Sequence, residues 1–451
     1  MPYSYINLTT ALSDLGARLY DPASTFWSIT EKTRIIQTAL RTWNAFTSMF
    51  RAEFTMPTAA NVVWYDITDP TVAPNTLRPY TVLDTDLYRL IEDHLLEPPT
   101  GATWTGSLQF TAQDMIQALQ RRRDELTSNT SCTVQRHLVA ANPGRTFLGD
   151  QTLDIRRIAW LPVANPSGYV NSPLWPDDIW ATQSYERDFT TQAPGTPSTY
   201  RQSTEPPLSF DVDIPPAVPG QYECLTIDAG ASLSAAQAST LDIPDDFAWL
   251  LVFGAMADML NKESNAKDAL RAQYCNARYA QGMALLKDSA ALLYARIDNI
   301  AIDIDSAQNQ DNFNPSWQSQ AAAMPDTLLT TGLNLIGFSA TPDTNAYSIT
   351  LDVVQNAPIP LKGADFIQLG RDDYDVLLDY CVHLAAFKMG GAEFIATIPL
   401  FQRFMKQASL YNSKLDELGE FTKAIYELSQ LQTETNPVFS ADVEPTAQET
   451  T

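Results

Sequence analysis

The sequence predicts an α+β protein in which helical hairpins or a small bundle combine with small antiparallel β-sheets, arranged as two related modules. Two observations carry this expectation. From Asp245-Asp246-Phe247 onward, apolar residues fall at Phe247, Leu250, Leu251, Gly254, Ala257 and Leu260, the i, i+3, i+4, i+7 spacing of an amphipathic helix. A second such segment starts at Asp372-Asp373-Tyr374, 127 residues after Asp245, with Leu377, Leu378, Cys381, Leu384 and Phe387 in the matching places. Ahead of each lies a pair of alternating stretches that read as paired strands: Leu208 to Pro215 with Tyr222 to Ile227, then Leu333 to Phe338 with Tyr347 to Val353.

Taken in order, residues 30–51 have helical spacing through Ile35, Ile36, Leu40, Trp43 and Phe46, with Thr30 placed to cap. Val62 to Ile67 reads as a strand, and Asp84 to Leu96 as a helix stopped by Pro98 and Pro99. Thr111-Ala-Gln-Asp114 opens another helix, which turns Met115, Ile116, Leu119 and Leu126 inward. The span 140–220 is rich in Pro, Gly, Trp and Tyr, with a strand at Leu153 to Leu161. Each acid-led helix is followed by a partner, Ala266 to Leu293 and Ile395 to Leu415, suited to an antiparallel hairpin. The expected organisation is an N-terminal extension (1–83), a module with a β insertion at 140–230 (84–300), a linker (301–332), a second module (333–429) and an extended acidic arm (430–451).

Charge narrows the function. With 53 acidic and 29 basic side chains the net charge is −24, which excludes a protein that wraps nucleic acid by neutralising phosphates. A composition 45% hydrophobic and 18% charged excludes general disorder. The excess is uneven: residues 301–429 carry −9 and 151–230 carry −6, whereas 231–300 carry −2. The arm carries −4 with no basic residue and little to bury, so an ordered arm implies a neighbouring chain that holds it.

Little in the sequence points to catalysis. Cys132, Cys224, Cys275 and Cys381 form no CxxC pair and read as buried thiols of a soluble protein made in a reducing cytoplasm; no signal peptide is evident. No apolar stretch is long enough for a membrane span. His94, His137 and His383 lie far apart, His383 on an apolar stripe as a structural histidine would. Phosphate-cradle and nucleophile-elbow motifs are missing, so no catalytic residue, cofactor site or metal site is assigned. Carboxylate pairs such as Asp84/Asp86, Asp211/Asp213, Asp245/Asp246, Asp303/Asp305 and Asp372/Asp373 read first as helix caps and chance neighbours. Used as acid and base, such a pair would make the chain a glycoside hydrolase.

Candidate interface residues are few. Arg121-Arg122-Arg123 is the one dense basic run, either a solvated helix face or a contact for an acidic neighbour, a further copy of the chain included. Trp175 and Trp180, in the Pro-rich span, are either core residues or interface anchors.

Residues 84–300 resemble the head-to-tail connector, or adaptor, proteins of the tailed-bacteriophage neck. The matching pieces are the helix Phe110 to Leu126, the strand Leu153 to Leu161, Gly195-Thr-Pro-Ser-Thr-Tyr200, the alternating Leu208 to Pro216, and Tyr222 to Ile227. Leu241-Asp-Ile-Pro-Asp-Asp-Phe247 follows, then Ala269-Leu-Arg271-Ala-Gln-Tyr274-Cys-Asn-Ala-Arg278-Tyr279, which adds Arg271 and Arg278 to the candidate interface residues. The resemblance implies a non-enzymatic virion protein forming a homo-oligomeric, dodecameric ring. Its partners would be the portal protein and the tail or lower-neck proteins, with DNA passing through unbound and no membrane involved. Residues before 84 and after 330 depart from small adaptors, which leaves open a tail-proximal or receptor-binding station.

Overall fold

The computed structural model describes residues 5–68, 79–96, 110–142, 144–162, 171–178, 192–203, 207–234, 238–263, 267–345 and 347–412. Trp180, the turn at Pro98 and Pro99, and the expected arm at 430–451 lie outside them. The helices are α1 (Leu8–Arg18), α2 (Ile29–Thr47), α3 (Asp84–Leu95), α4 (Ala112–Thr130), α5 (Trp249–Asn261), α6 (Ala269–Asp288), α7 (Ala307–Phe313), α8 (Arg371–Ala386), α9 (Gly391–Ala396) and α10 (Ile398–Ser409). A 3-10 turn at Asp245–Phe247 leads into α5.

The chain is α+β, but its sheets are large and mixed rather than small and antiparallel. One sheet uses β4 (Gln135–Ala140), β5 (Thr146–Phe147), β6 (Thr152–Pro162), β7 (Ser172–Pro176), β8 (Thr199–Gln202), β9 (Ser209–Val212) and β10 (Gly220–Asp228), in the order β4-β10-β6-β7-β8-β9-β5. The other uses β2 (Arg51–Pro57), β3 (Trp64–Asp66), β11 (Leu292–Ile297), β12 (Ile300–Ser306), β13 (Thr327–Thr331), β14 (Leu335–Ser339) and β15 (Ser348–Val354), in the order β2-β15-β11-β12-β13-β14-β3. Numbered within its own sheet, each reads first, seventh, third, fourth, fifth, sixth, second. In both, the fourth and fifth strands form the one parallel pair, β7 with β8 and β12 with β13. A small additional pair joins β1 (Ile6–Asn7) to β16 (Phe366–Ile367).

The helices repeat the correspondence. A helix pair precedes the first strand of each sheet, α1-α2 and α3-α4, and helices follow the last strand, α8 to α10 and α5-α6. The helices entering the sheets, α2 and α4, are both 19 residues long. Both end on a serine in the left-handed conformation, Ser48 (φ 47°) and Ser131 (φ 53°), whose N–H returns to the carbonyl four residues earlier, at Asn44 and Thr127. The cap of α2 is Ser28, whose hydroxyl accepts from the Glu31 N–H, and not Thr30, which lies inside the helix. At α4 the capping box of Thr111 and Asp114 forms as expected.

Three expectations are corrected by these pairings. Residues 1–83 are not an appendage, because β2 pairs along β15 and β3 along β14 as the two edge strands of the second sheet. Residues 301–332 are not a linker, since they supply most of β12, all of α7 and β13. The strands expected to pair with each other do not: β9 lies between β8 and β5 while β10 lies between β4 and β6, and β14 and β15 are likewise apart. The helix expected to reach Leu293 stops at Asp288, where the chain turns into β11.

One apolar core joins the helices of both units. Helix α5 is buried on all sides, at eleven of its thirteen residues, which is why its sequence WLLVFGAMADMLN lacks a polar face. It packs against α3, α4 and α6, while α8 packs against α1, α2 and α10. Helices α5 and α6 approach closely at glycines: a Cβ on Gly282 would lie 1.9 Å from Leu250 Cδ2, and one on Gly254 2.9 Å from the Tyr279 ring. Gly282→Ala is therefore expected to destabilise the protein by about 1–3 kcal/mol through overpacking. Urea unfolding checks this, and a change below about 0.5 kcal/mol would mean that the two helices part without cost.

Candidate functional site

Of the candidate interface residues, the arginine run of α4 is turned mostly inward. Arg123 is fully buried and donates to the backbone carbonyls of Gly230 (2.9 Å) and Ala231 (2.7 Å), so it ties α4 to the loop after β10. Arg122 makes two bonds to Asp258 on α5, at 2.5 and 3.0 Å, and its guanidinium lies 4.9 Å from the centre of the Tyr279 ring. Its backbone carbonyl accepts from the Tyr279 hydroxyl at 2.8 Å. Only Arg121 extends into solvent, and it too pairs with Asp258. The run is thus neither a solvated face nor an intact surface patch; two of its members hold α4 onto the rest of the chain.

Arg271 is half-hidden at the start of α6, paired with Asp268 at 2.7 Å and reaching the Phe387 carbonyl at 3.3 Å. Arg278, two turns further along α6, is fully buried and has no surface to offer a partner. Its guanidinium carbon lies 4.1 Å from the ring centre of Phe401, 4.7 Å from Trp249, 5.4 Å from Phe253, 5.7 Å from Tyr380 and 5.9 Å from Phe46. Among the described residues no carboxylate pairs with it; Gln281 and the Tyr380 hydroxyl (2.8 Å) accept its protons. Aromatic faces replace the usual counter-ion, each contributing on the order of 1–2 kcal/mol when water is excluded.

His383 borders this centre, buried and hydrogen-bonded at both ring nitrogens. Nε2 lies 2.7 Å from the Tyr274 hydroxyl and Nδ1 2.9 Å from Thr397 Oγ1, while Thr397 donates onward to the Phe394 carbonyl at 2.6 Å. If Tyr274 donates to Nε2, every proton in this chain has an acceptor with the imidazole neutral. Burial pushes the His383 pKa down to about 3 and that of His94 to about 4.

A second centre, not anticipated from the sequence, joins the two sheets. Arg157 on β6 donates to Asp311 on α7 (2.5 and 3.0 Å), to Glu223 on β10 (3.1 Å) and to Gln318 (3.2 Å). Glu223 also accepts from Trp64 Nε1 (3.1 Å), Gln318 (2.8 Å) and Arg136 (2.8 Å), and Trp317 Nε1 donates to Asp311 at 2.8 Å. Despite burial, the two arginines hold the Glu223 carboxyl below its ordinary range. The signal was present in Tyr222-Glu-Cys-Leu-Thr-Ile227: one ionised residue in a strand buried on both faces requires a partner from elsewhere.

Trp175, on β7, is partly exposed at the rim of a cavity of about 220 Å³ between the sheets, with Arg156, Pro176, Tyr200 and Asp311 among its walls. Several members of the carboxylate pairs are engaged within the fold. Asp84 holds Ser239 N and the Tyr88 hydroxyl, Asp213 holds Ser198, and Asp373 holds Gln407 and Tyr411. Among the described residues no three His, Cys, Asp or Glu side chains are placed to hold a metal, and no helix is long and apolar enough to cross a membrane. All four cysteines are buried and unpaired. The chain matches no protein-family model, and no curated protein sequence is significantly similar to it.

Arg157→Met should cost about 3–5 kcal/mol near neutral pH, because the buried Asp311 and Glu223 carboxyls would lose their shared guanidinium partner. The sign with pH distinguishes this from a simple packing defect. In the parent protein the depressed Glu223 pKa contributes stability that is complete above the ordinary value of 4.5 and is lost as pH falls below it. In the variant Glu223 loses Arg157, the stronger of the two arginines that depress its pKa, so the gap between the two proteins should narrow as pH falls through the carboxylate range. Urea midpoints measured from pH 7 to pH 4 check this, and a constant gap would refute it.

Proposed function

We propose that the chain is a non-enzymatic structural protein of the bacteriophage virion, a head-to-tail connector that forms a ring between portal and tail. The observation that carries this reading is the order of pieces along residues 84–300, a helix, a strand-rich insertion and a helical hairpin, which resembles the adaptor class. The folded chain is compatible with it: α3 and α4 lead into one seven-stranded sheet and α5 and α6 leave it. The shared strand order supports reading the whole chain as two related modules. Residues 84–288 would then be one module inserted between β3 and β11 of the other, which is built from both ends of the described chain.

The acidic surplus fits a conduit, since like charge lets DNA slide without adhering. A carboxylate-pair hydrolase would need a proton-bearing carboxyl facing a cleft. Asp311, at the wall of the cavity between the sheets, instead accepts from Arg157 and Trp317, which favours the structural reading.

Two modules per chain bear on the ring itself. If each module fills one position of a twelve-position ring, six chains close it; if each chain fills one position, twelve are needed. Electron-microscopic class averages with native mass spectrometry of the purified chain are expected to show closed rings of one of these counts. Removing residues 430–451 should reduce ring formation while leaving a folded monomer. A full-length chain that remains monomeric at all concentrations, with virions assembling normally in its absence, would refute the proposal.

A further inference from the structure

A cavity of about 440 Å³ lies where the two units meet, lined by Arg34, Arg41, Asp86, Asp245, Asp246 and Asn356 among others. Helix α2 and the loop after β15 form one side; α3 and the turn before α5 form the other. Its size falls within the range of small-molecule pockets, roughly 300–1,000 Å³.

Most polar groups in the wall are already engaged. Arg34 pairs with Asp93 at 2.7 Å. Asp245 accepts from the Thr81 and Val82 N–H groups, at 2.7 and 3.1 Å. Asp246 accepts from Asn44 Nδ2 at 2.7 Å and from the Ala357 N–H at 3.0 Å, and Asp86 accepts from the Leu83 N–H at 3.3 Å.

Two groups differ. Arg41 makes no hydrogen bond and no ion pair with any described residue, and its Nε is sealed from solvent. Asn356 donates to the Pro79 carbonyl at 2.7 Å, while its Oδ1 is buried and accepts nothing from the described residues. Buried donors and acceptors left unmatched carry a desolvation cost that a ligand can relieve. The pair also defines what that ligand must present: an oxyanion for the guanidinium and an N–H for the amide oxygen. A simple anion such as phosphate is disfavoured, because Arg41 shares the cavity with three carboxylates whose fields act on it.

We infer that this cavity binds a small zwitterion of the α-amino acid class, with its carboxylate on Arg41 and its ammonium turned toward Asn356 Oδ1 and the acidic wall. Bound there, the ligand would bridge both units of the chain. The inference is independent of the connector reading, since it rests only on the walls of the cavity.

The test is calorimetric titration of the full chain with glycine, L-glutamine and L-glutamate, with the N-acetyl derivatives and inorganic phosphate as controls. Saturable binding of at least one free amino acid is expected, weakened about tenfold or more by Arg41→Gln, as loss of a charge-assisted bond requires. Asn356→Ala should weaken it by a smaller factor. In the absence of ligand, R41Q should still unfold cooperatively, at a lower Tm than the parent protein because Asp86, Asp245 and Asp246 lose a nearby positive charge. Three results would each overturn the inference: no saturable binding at millimolar concentration, R41Q binding as well as the parent, or an N-acetyl derivative or phosphate binding as tightly as the free amino acid.

Discussion

A guanidinium with no carboxylate partner among the described residues sits at the point where the two halves of this protein meet. Arg278 reaches from α6 into a space walled by aromatic residues of α2, α5, α8 and α10, so it can stay desolvated only while all four helices hold their places. Removing any one wall would expose an unpaired charge to a half-open apolar pocket, the costliest kind of defect. The neighbouring bonds of Tyr274 to His383 and of Gln281 to Met405 Sδ (3.1 Å) cross the same boundary. The helices of the two units therefore form one continuous core, although each sheet has its own set.

That core lets a nested chain behave as one body. Between β3 and β11 the polypeptide builds an entire second unit before the first sheet is finished. The pairing of Pro57 with Ser348 must close a loop of nearly three hundred residues. The entropic cost of closure rises only slowly with length, so the arrangement is affordable at equilibrium. Its kinetic consequence is larger, because pairings this distant form late. The Arg157, Glu223 and Asp311 cluster then links the finished sheets through a second polar contact, deep enough that all its members must be bonded at once.

Much of the local structure was legible from residue pattern. The acid-led starts at Asp245 and Asp372, the capping box at Thr111 and the strand from Leu153 to Leu161 all depend on neighbours within a few residues, and the fold contains them. The functions assigned to individual arginines were not legible. Arg122, Arg123 and Arg278 occupy helix positions that suit a surface as well as a core; only their distant partners Asp258, Gly230 and Phe401 turn them inward. The seam cavity was hidden for the same reason, since Arg41 and Asn356 are more than three hundred residues apart.

By itself the sequence determined most of the described helices, fewer than half of the described strands, and the apolar faces, because periodicity and capping act over one or two turns of chain. It did not determine which strands lie side by side. Hydrogen-bond ladders carry little side-chain identity, and β2 and β3 resemble a short extension until β15 and β14 are placed beside them. Tertiary structure alone decided that both ends of the described chain build one unit around the other, and that three arginines expected at a surface hold the interior together.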